Sequence, residues 1–192
     1  MIIVALGHKS RVGKDTFANF LLTSLRMHGI KTQKASFAAK LKQVCFIMYG
    51  WAGLREAAYY ETEEGAAARK VKLPALDMTP VEIWGAIGNK VREVFPDTWL
   101  CCTLMADYPG VQVLIITDCR FPNEGDKVLD LRGLPVKITN SRAPDLGTVA
   151  DKALDDWAKW FQHIENEGDL RELNAKAEAF AEFLLSYFPG KG

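Results

Sequence analysis

Gly13, Lys14, Asp15 and Thr16 lie within LGHKSRVGKDTFANF (Leu6–Phe20), a stretch that directly follows the apolar run MIIVA. A glycine lets the backbone come close to an anion, and a lysine beside it brings a point charge suited to the β- and γ-phosphates of a nucleotide. Unpaired amides of the first helical turn and the helix dipole act on the same spot. Lys9 and Arg11 add positive charge around the loop. The plainer reading is a glycine-containing turn joining strand to helix; the position after the first buried strand and at a helix start favours phosphate. Five residues separate Gly7 from Gly13, one more than the usual four. Either the loop bulges by one residue or His8 takes the first glycine's place.

The residue after the lysine narrows the chemistry. Nucleotide-driven motors and switch GTPases put a hydroxyl there to hold Mg²⁺. Here that place is Asp15 and the hydroxyl comes one later, at Thr16, a spacing common in P-loop kinases that act on small molecules. Mg²⁺ is then held largely through phosphates and water, with Thr16 and Asp118 as its protein-side contacts. Asp15 has a simpler role open to it, a carboxylate stabilising the first helical turn.

A second element points the same way. VLIITDCRFPNEGD (Val113–Asp126) ends an apolar run with Asp118 and places Arg120 two residues later. A carboxylate at the carboxyl end of a strand beside a phosphate loop is placed to orient Mg²⁺-bound water or an acceptor. An arginine there can clamp a phosphate with two parallel hydrogen bonds, which lysine cannot. The alternative is that Asp118 caps the next helix while Arg120 pairs with Glu124.

Short apolar runs alternate with helical spacing along the chain. Strands are expected at Ile2–Leu6, Lys31–Phe37, Val111–Thr117 and Leu134–Thr139, with a marginal edge strand in QHIEN (162–166). Helices are expected from Gly13 to near Gly29, over Ala38–Gly50, from Thr79 in TPVEIWGAIGNKVREVF, after Phe121 up to Gly133, over ALDDWAKWF (153–161), and from about Leu170 to Tyr187. Thr79, Pro80 and Glu82 form a capping-box signature, and Asp169 with Glu172 another N-terminal signal. Residues 51–76 have no clear period and read as an inserted helical flap. The alternation predicts an α/β fold of three layers with a parallel sheet of about five strands in one domain spanning 1–192, and the GKDT loop makes the expected type that of a P-loop NTPase kinase. Segment 141–150 reads as a lid.

Composition bounds the partners. Lys plus Arg and Asp plus Glu number 24 each, so nothing predicts bulk attraction to nucleic acid or to a membrane surface. No apolar run approaches the roughly 18 residues of a membrane helix. The cysteines Cys45, Cys101, Cys102 and Cys119 lack metal-site or redox spacing and read as reduced thiols. A soluble cytoplasmic protein is expected, and a homodimer is left open.

With both phosphate-site elements identified, the chain resembles the deoxynucleoside monophosphate kinase family of tailed bacteriophages. The matching blocks are GKDTFA (13–18), SFAAKLK (36–42), MTPVEIWGAIGNKVREVFPDTW (78–99), TDCRFPNEGD (117–126), ALDDW (153–157) and IENEGDLREL (164–173). The resemblance implies transfer of the ATP γ-phosphate to a deoxynucleoside 5′-monophosphate in the host cytoplasm, with Mg²⁺ as cofactor and small-molecule nucleotides as partners. By position it implies that Gly13, Lys14, Asp15, Thr16 and Arg142 serve ATP, with Lys14, Asp118 and Arg120 at the reacting phosphates. Lys9, Arg11, Phe37, Lys42, Arg69, Arg92 and Glu124 fall on the acceptor side, Phe37 as a stacking platform for the base. Phe37 equally reads as core, and Lys42, Arg69 and Arg92 as helix-surface charges. The chain departs from the family at Val81 and at Thr148, Val149, Ala150 and Asp151, where a His-x-Ser-Glu element is usual. Two other readings stay open: a small-molecule kinase with another phosphorylated acceptor, and a nucleotide-binding interaction protein without turnover.

Overall fold

The computed structural model describes residues 1–144 and 147–188. Residues cluster into two compact units, 1–36 with 107–192 and Phe37–Ala106.

The first unit is built on five parallel strands: β1 (Ile2–Gly7), β2 (Thr32–Ala35), β3 (Val113–Cys119), β4 (Leu134–Thr139) and β5 (Gln162–Glu165). Their order is β2-β3-β1-β4-β5. The register sets Val4 beside Ile115 and Leu134, Thr32 beside Val113, and Ile138 beside Ile164. β1 and β3 are apolar nearly throughout because both faces are covered. Val4, Leu6, Val113, Ile115, Val136 and Ile138 pack with helix α1 (Lys14–Met27) and helix α8 (Leu170–Leu185), where Phe17 and Phe180 meet at 6.3 Å. The alternate residues Ile3, Ala5, Leu114 and Ile116 are also buried and, by the strand's two-residue period, take the other face. Helix α6 (Pro122–Asp130) packs on β1 and β4. The parallel five-stranded α/β architecture is as expected from the sequence.

The strand order places the site. After β1 the chain leaves toward β2, returns at β3 beside β1, and then crosses to β4 on β1's other side. Ligands of open parallel sheets bind outside the carboxyl ends of strands at such a reversal. The β1–β3 register shifts between Ala5 and Gly7, so that Ala5 faces Ile116 but Gly7 faces Cys119. This irregularity lies where β1 gives way to the loop and where Asp118 leaves β3, and bulges of this kind re-aim side chains.

The second unit contains helices α2 (Phe37–Tyr49), α3 (Glu63–Ala68), α4 (Pro80–Val94) and α5 (Thr98–Leu104), with single turns at Gly50–Ala52 and Tyr59–Glu61. Leu41, Cys45, Leu54, Tyr60, Ile83 and Trp99 form its core. The predicted capping box is present: Thr79 accepts from the Glu82 amide at 3.2 Å, and Glu82 accepts from the Thr79 amide at 2.7 Å. Helix α5 has no counterpart in the sequence reading.

One expected helix is absent. Residues 153–161 are not helical; a single turn, α7 (Val149–Lys152), precedes them and the chain then runs across the sheet edge to β5. Leu154, Trp157 and Phe161 have helical spacing, but the tryptophans are held by tertiary packing instead. Trp157 lies against Gly125 and Trp160 against Gly7, and the two rings meet edge-on at 4.6 Å.

Candidate phosphate site

The loop from His8 to Gly13 leaves the end of β1 and enters α1. Three of its residues lie in the left-handed region: His8 at φ 86°, Arg11 at 60° and Gly13 at 95°. Two of these are not glycine, each costing roughly 1–3 kcal/mol, and such strain collects at ligand clamps. Gly13 is required here for a further reason. A Cβ on it would lie 2.4 Å from Asn166 Nδ2, which donates to Val12 O at 3.0 Å.

Lys14 is 5% exposed, and its Nζ donates to the carbonyl of Lys9. Burial lowers its pKa to about 8; the Arg120 charge lowers it too, while Asp15, Asp118 and Asp151 pull the other way. Asp15 is exposed in the first turn of α1 and 3.8 Å from Lys34 Nζ, a loose surface pair. Thr16 is half-buried one residue on, and Arg11 is exposed.

The second element folds beside the first. Asp118 leaves β3 with its Oδ2 accepting from Ser36 Oγ at 2.8 Å, Ser36 lying directly after β2. Arg120 Nη1 donates to Asp151 Oδ1 at 2.8 Å and lies 2.9 Å from Ser10 Oγ. Glu124, 4% exposed, accepts from the amides of Arg120 and Phe121 at 2.7 and 3.1 Å, so its carboxylate shapes the turn into α6. The sequence alternative of an Arg120–Glu124 pair is thus realised through the backbone amide, while the guanidinium reaches Asp151.

Residues 148–160 meet the loop through two carboxylates to which the sequence reading gave no site role. Asp151 is 2% exposed and accepts from Ser10 N at 2.9 Å and Ser10 Oγ at 2.8 Å. Burial pushes its carboxyl up, but the Ser10 hydroxyl and amide, with the Arg120 charge, hold it below the ordinary aspartate value. Asp155 accepts from His8 Nε2 at 3.0 Å and lies 3.8 Å from Lys9 Nζ. His8 is 8% exposed, and burial holds its pKa below the usual histidine value despite the Asp155 bond. Spacing alone gives Asp151 and Asp155 no role, because Ser10 and His8 lie 141 and 147 residues from them and Arg120 lies 31 from Asp151.

Arg142, following β4, donates to the carbonyls of Glu167 and Gly168 at 2.7 and 3.1 Å. Its neighbour Ser141 is bound by the Glu167 carboxylate at 2.6 and 2.7 Å. Asp145 and Leu146, within the expected lid, lie outside the described residues.

The remaining predicted residues belong to the second unit. Lys42 and Arg69 converge on Glu61 at 3.1 and 3.2 Å, and Lys42 Nζ sits 5.2 Å above the Trp84 ring. Burial raises the Glu61 pKa, but the two cations outweigh it and hold the carboxyl below its usual value. Arg92 is half-buried in the last turn of α4. Phe37 is 2% exposed at the start of α2, a core position.

The site as built is a buried lysine, a strained loop with amides at a helix start, an arginine and a strand-end carboxylate. It can hold a polyphosphate and offer charge to a moving phosphoryl group. Among the described residues no three His, Cys, Asp or Glu side chains cluster as a metal cage, and no helix is long and apolar enough to cross a membrane. A magnesium ion shared between a nucleotide's phosphates, water and one carboxylate needs no such cage. Thr16 and Asp118 fit that use.

No family model matches the chain, and no curated protein matches it. Among solved structures, shikimate kinase from Aquifex aeolicus vf5 aligns over 98% of this chain and 100% of its own, at 14% identity and a TM-score of 0.43. A sugar kinase from Janibacter sp. HTCC2649 aligns over 100% of this chain and 98% of its own, at 14% identity and a TM-score of 0.39.

Proposed function

We propose that this chain is an ATP-dependent phosphotransferase of the P-loop kinase type, and that its acceptor is a deoxynucleoside 5′-monophosphate. The observation that carries the first part is Lys14, nine-tenths buried at a helix start within the electrostatic reach of Arg120, Asp118 and Asp151. A lysine is not buried among such groups for stability alone, since desolvating its charge is unfavourable. The acceptor rests on the motif resemblance, above all GKDTFA and TDCRFPNEGD.

Phosphoryl transfer asks the protein for positioning and charge neutralisation more than for covalent chemistry. The loop amides and Lys14 hold the ATP phosphates; Arg120 meets the transferring group; Asp118, fixed by Ser36, would hold the metal together with Thr16 or orient the acceptor. Bound Mg²⁺ supplies neutralisation of phosphate charge. Lys42, Arg69 and Arg92 serve the acceptor. No general base is required, because a phosphate acceptor is already an anion.

The test is ADP formation from Mg·ATP in a coupled assay, each deoxynucleoside and ribonucleoside monophosphate offered separately, with Lys14→Ala beside the wild type. Turnover with one or more deoxynucleotides, lost at least a thousandfold in Lys14→Ala, is the expected result (about 4 kcal/mol of barrier). ATP binding without turnover for any nucleotide would sink the acceptor assignment. Other phosphorylated metabolites would then be tried, and failure there would leave a nucleotide-binding protein without turnover.

A further inference from the structure

Three donors from two distant parts of the chain meet on one carboxylate oxygen. Ser10 N, Ser10 Oγ and Arg120 Nη1 reach Asp151 Oδ1 at 2.9, 2.8 and 2.8 Å, and Arg120 Nη1 lies 2.9 Å from Ser10 Oγ. Asp151 is 2% exposed, and among the described residues its Oδ2 has no hydrogen-bond partner. A buried carboxylate with one bare oxygen is unfavourable unless its other bonds are charged and well made, and a space-filling residue here would be apolar. The backbone holds the carboxylate in place: Thr148 Oγ1 accepts from the Asp151 amide at 3.2 Å and caps the single turn α7.

The triangle ties the middle of the phosphate loop to the arginine that follows β3. Among the described residues these bonds use only Nη1 of the guanidinium, which leaves the Nη2 and Nε edge of a planar fork to present to a phosphate. Two rotatable groups that would otherwise sample many rotamers are thereby set together.

We propose that Asp151 is a positioning residue that aims Arg120 and sets Ser10, so that the guanidinium meets the transferring phosphoryl group in one fixed orientation. This rests on the phosphotransferase reading above. Asp151 acts through Arg120 and touches neither substrate. A carboxylate that merely competed with phosphate for Ser10 and Arg120 would have the opposite signature, since neutralising it would raise nucleotide affinity and activity.

The experiment compares wild type, D151N, S10A, R120A, D151N/R120A and S10A/R120A in steady-state kinetics with Mg·ATP and the best acceptor, with thermal denaturation of each. D151N keeps the size and an oxygen for Ser10 while losing the charge. Its kcat is expected to fall about 10- to 100-fold, as misplacement of a transition-state contact does, with KM for ATP changed less than about threefold. In the R120A background D151N should have no further effect. S10A removes one corner without unpairing the buried charge, so it carries the test if D151N does not fold. Its kcat should fall about threefold or more, again only when Arg120 is present. Effects additive with R120A, a change in KM alone, or unchanged or raised activity would overturn the inference while leaving the enzyme intact. Wild type inactive with every acceptor would instead overturn the reading beneath it.

Discussion

Lys14 carries a positive charge into a place where solvent barely reaches, and its pKa of about 8 measures that conflict. The sign can be worked from the two states. Unfolded, the group titrates near the ordinary lysine value of 10.5, so between about pH 8 and 10.5 the folded chain binds fewer protons and stability rises with pH. Below pH 8 the lysine is charged in both states and the cost of burying it is fully present. Nucleotide binding runs the other way, because phosphate requires the ammonium form. Affinity for a fluorescent ATP analogue should therefore fall about tenfold from pH 7 to 9, the change expected for one group titrating near 8. Lys14→Arg, charged throughout, should flatten that profile. A profile unchanged by the arginine would assign the pH dependence elsewhere. At this scale the sequence was informative where chemistry is local: GKDT marks its own loop, and Asp118 and Arg120 mark a strand end. Asp151, Asp155 and Glu61 were not legible, since each acquires meaning only from partners that folding brings to it.

Elements were legible to the degree that their signals were short-range. The capping box at Thr79 and the cap at Asp169, which accepts from the amides of Arg171 and Glu172 at 2.8 and 3.0 Å, could be read directly because every partner lies within three residues. The false helix at 153–161 shows the converse. Its apolar residues include two tryptophans, Trp160 and Trp157, that fill the space left by Gly7 and Gly125, where a Cβ would lie 2.5 and 2.7 Å from ring carbons. Glycines far away in sequence thus decided that local conformation. Helix α5 escaped notice because its seven residues after Pro96 are too few to show a period. Capping energetics can be tested apart from the site. Thr79→Ala should lower stability by about 1 kcal/mol and Tm by roughly 2–4 °C. Binding of the ATP analogue should be unaffected, since Thr79 lies in the second unit and the loop in the first. A tenfold loss of affinity in this variant would contradict that separation.

On the scale of the whole molecule, the parallel five-stranded sheet and the balanced charge were the legible parts, and the strand order and the division at Ser36 and Asp107 were not. No composition shift or linker announces the second unit, because its helices carry the same mixture of apolar and charged residues as those on the sheet. A ligand held by the loop stabilises the folded chain by mass action, about 2.7 kcal/mol at a hundred times its Kd. Saturating Mg·ATP should thus raise Tm by roughly 5–10 °C in a calorimetric scan, and Lys14→Ala should abolish the shift. An equal shift in that variant would place the nucleotide elsewhere on the molecule.

The bonds that fasten the phosphate loop also impose an order in time. Ser10, His8 and Val12 are held by Asp151, Asp155 and Asn166, at separations of 141, 147 and 154 residues. At a synthesis rate of roughly 5–20 residues per second, the loop leaves the ribosome about 7–30 s before the groups that fasten it. A nascent chain stopped short of Asp151 would carry the whole GKDT motif and still lack a set loop. Competence to handle phosphate is therefore acquired only once those later residues emerge, although the residues that advertise it are made well before them.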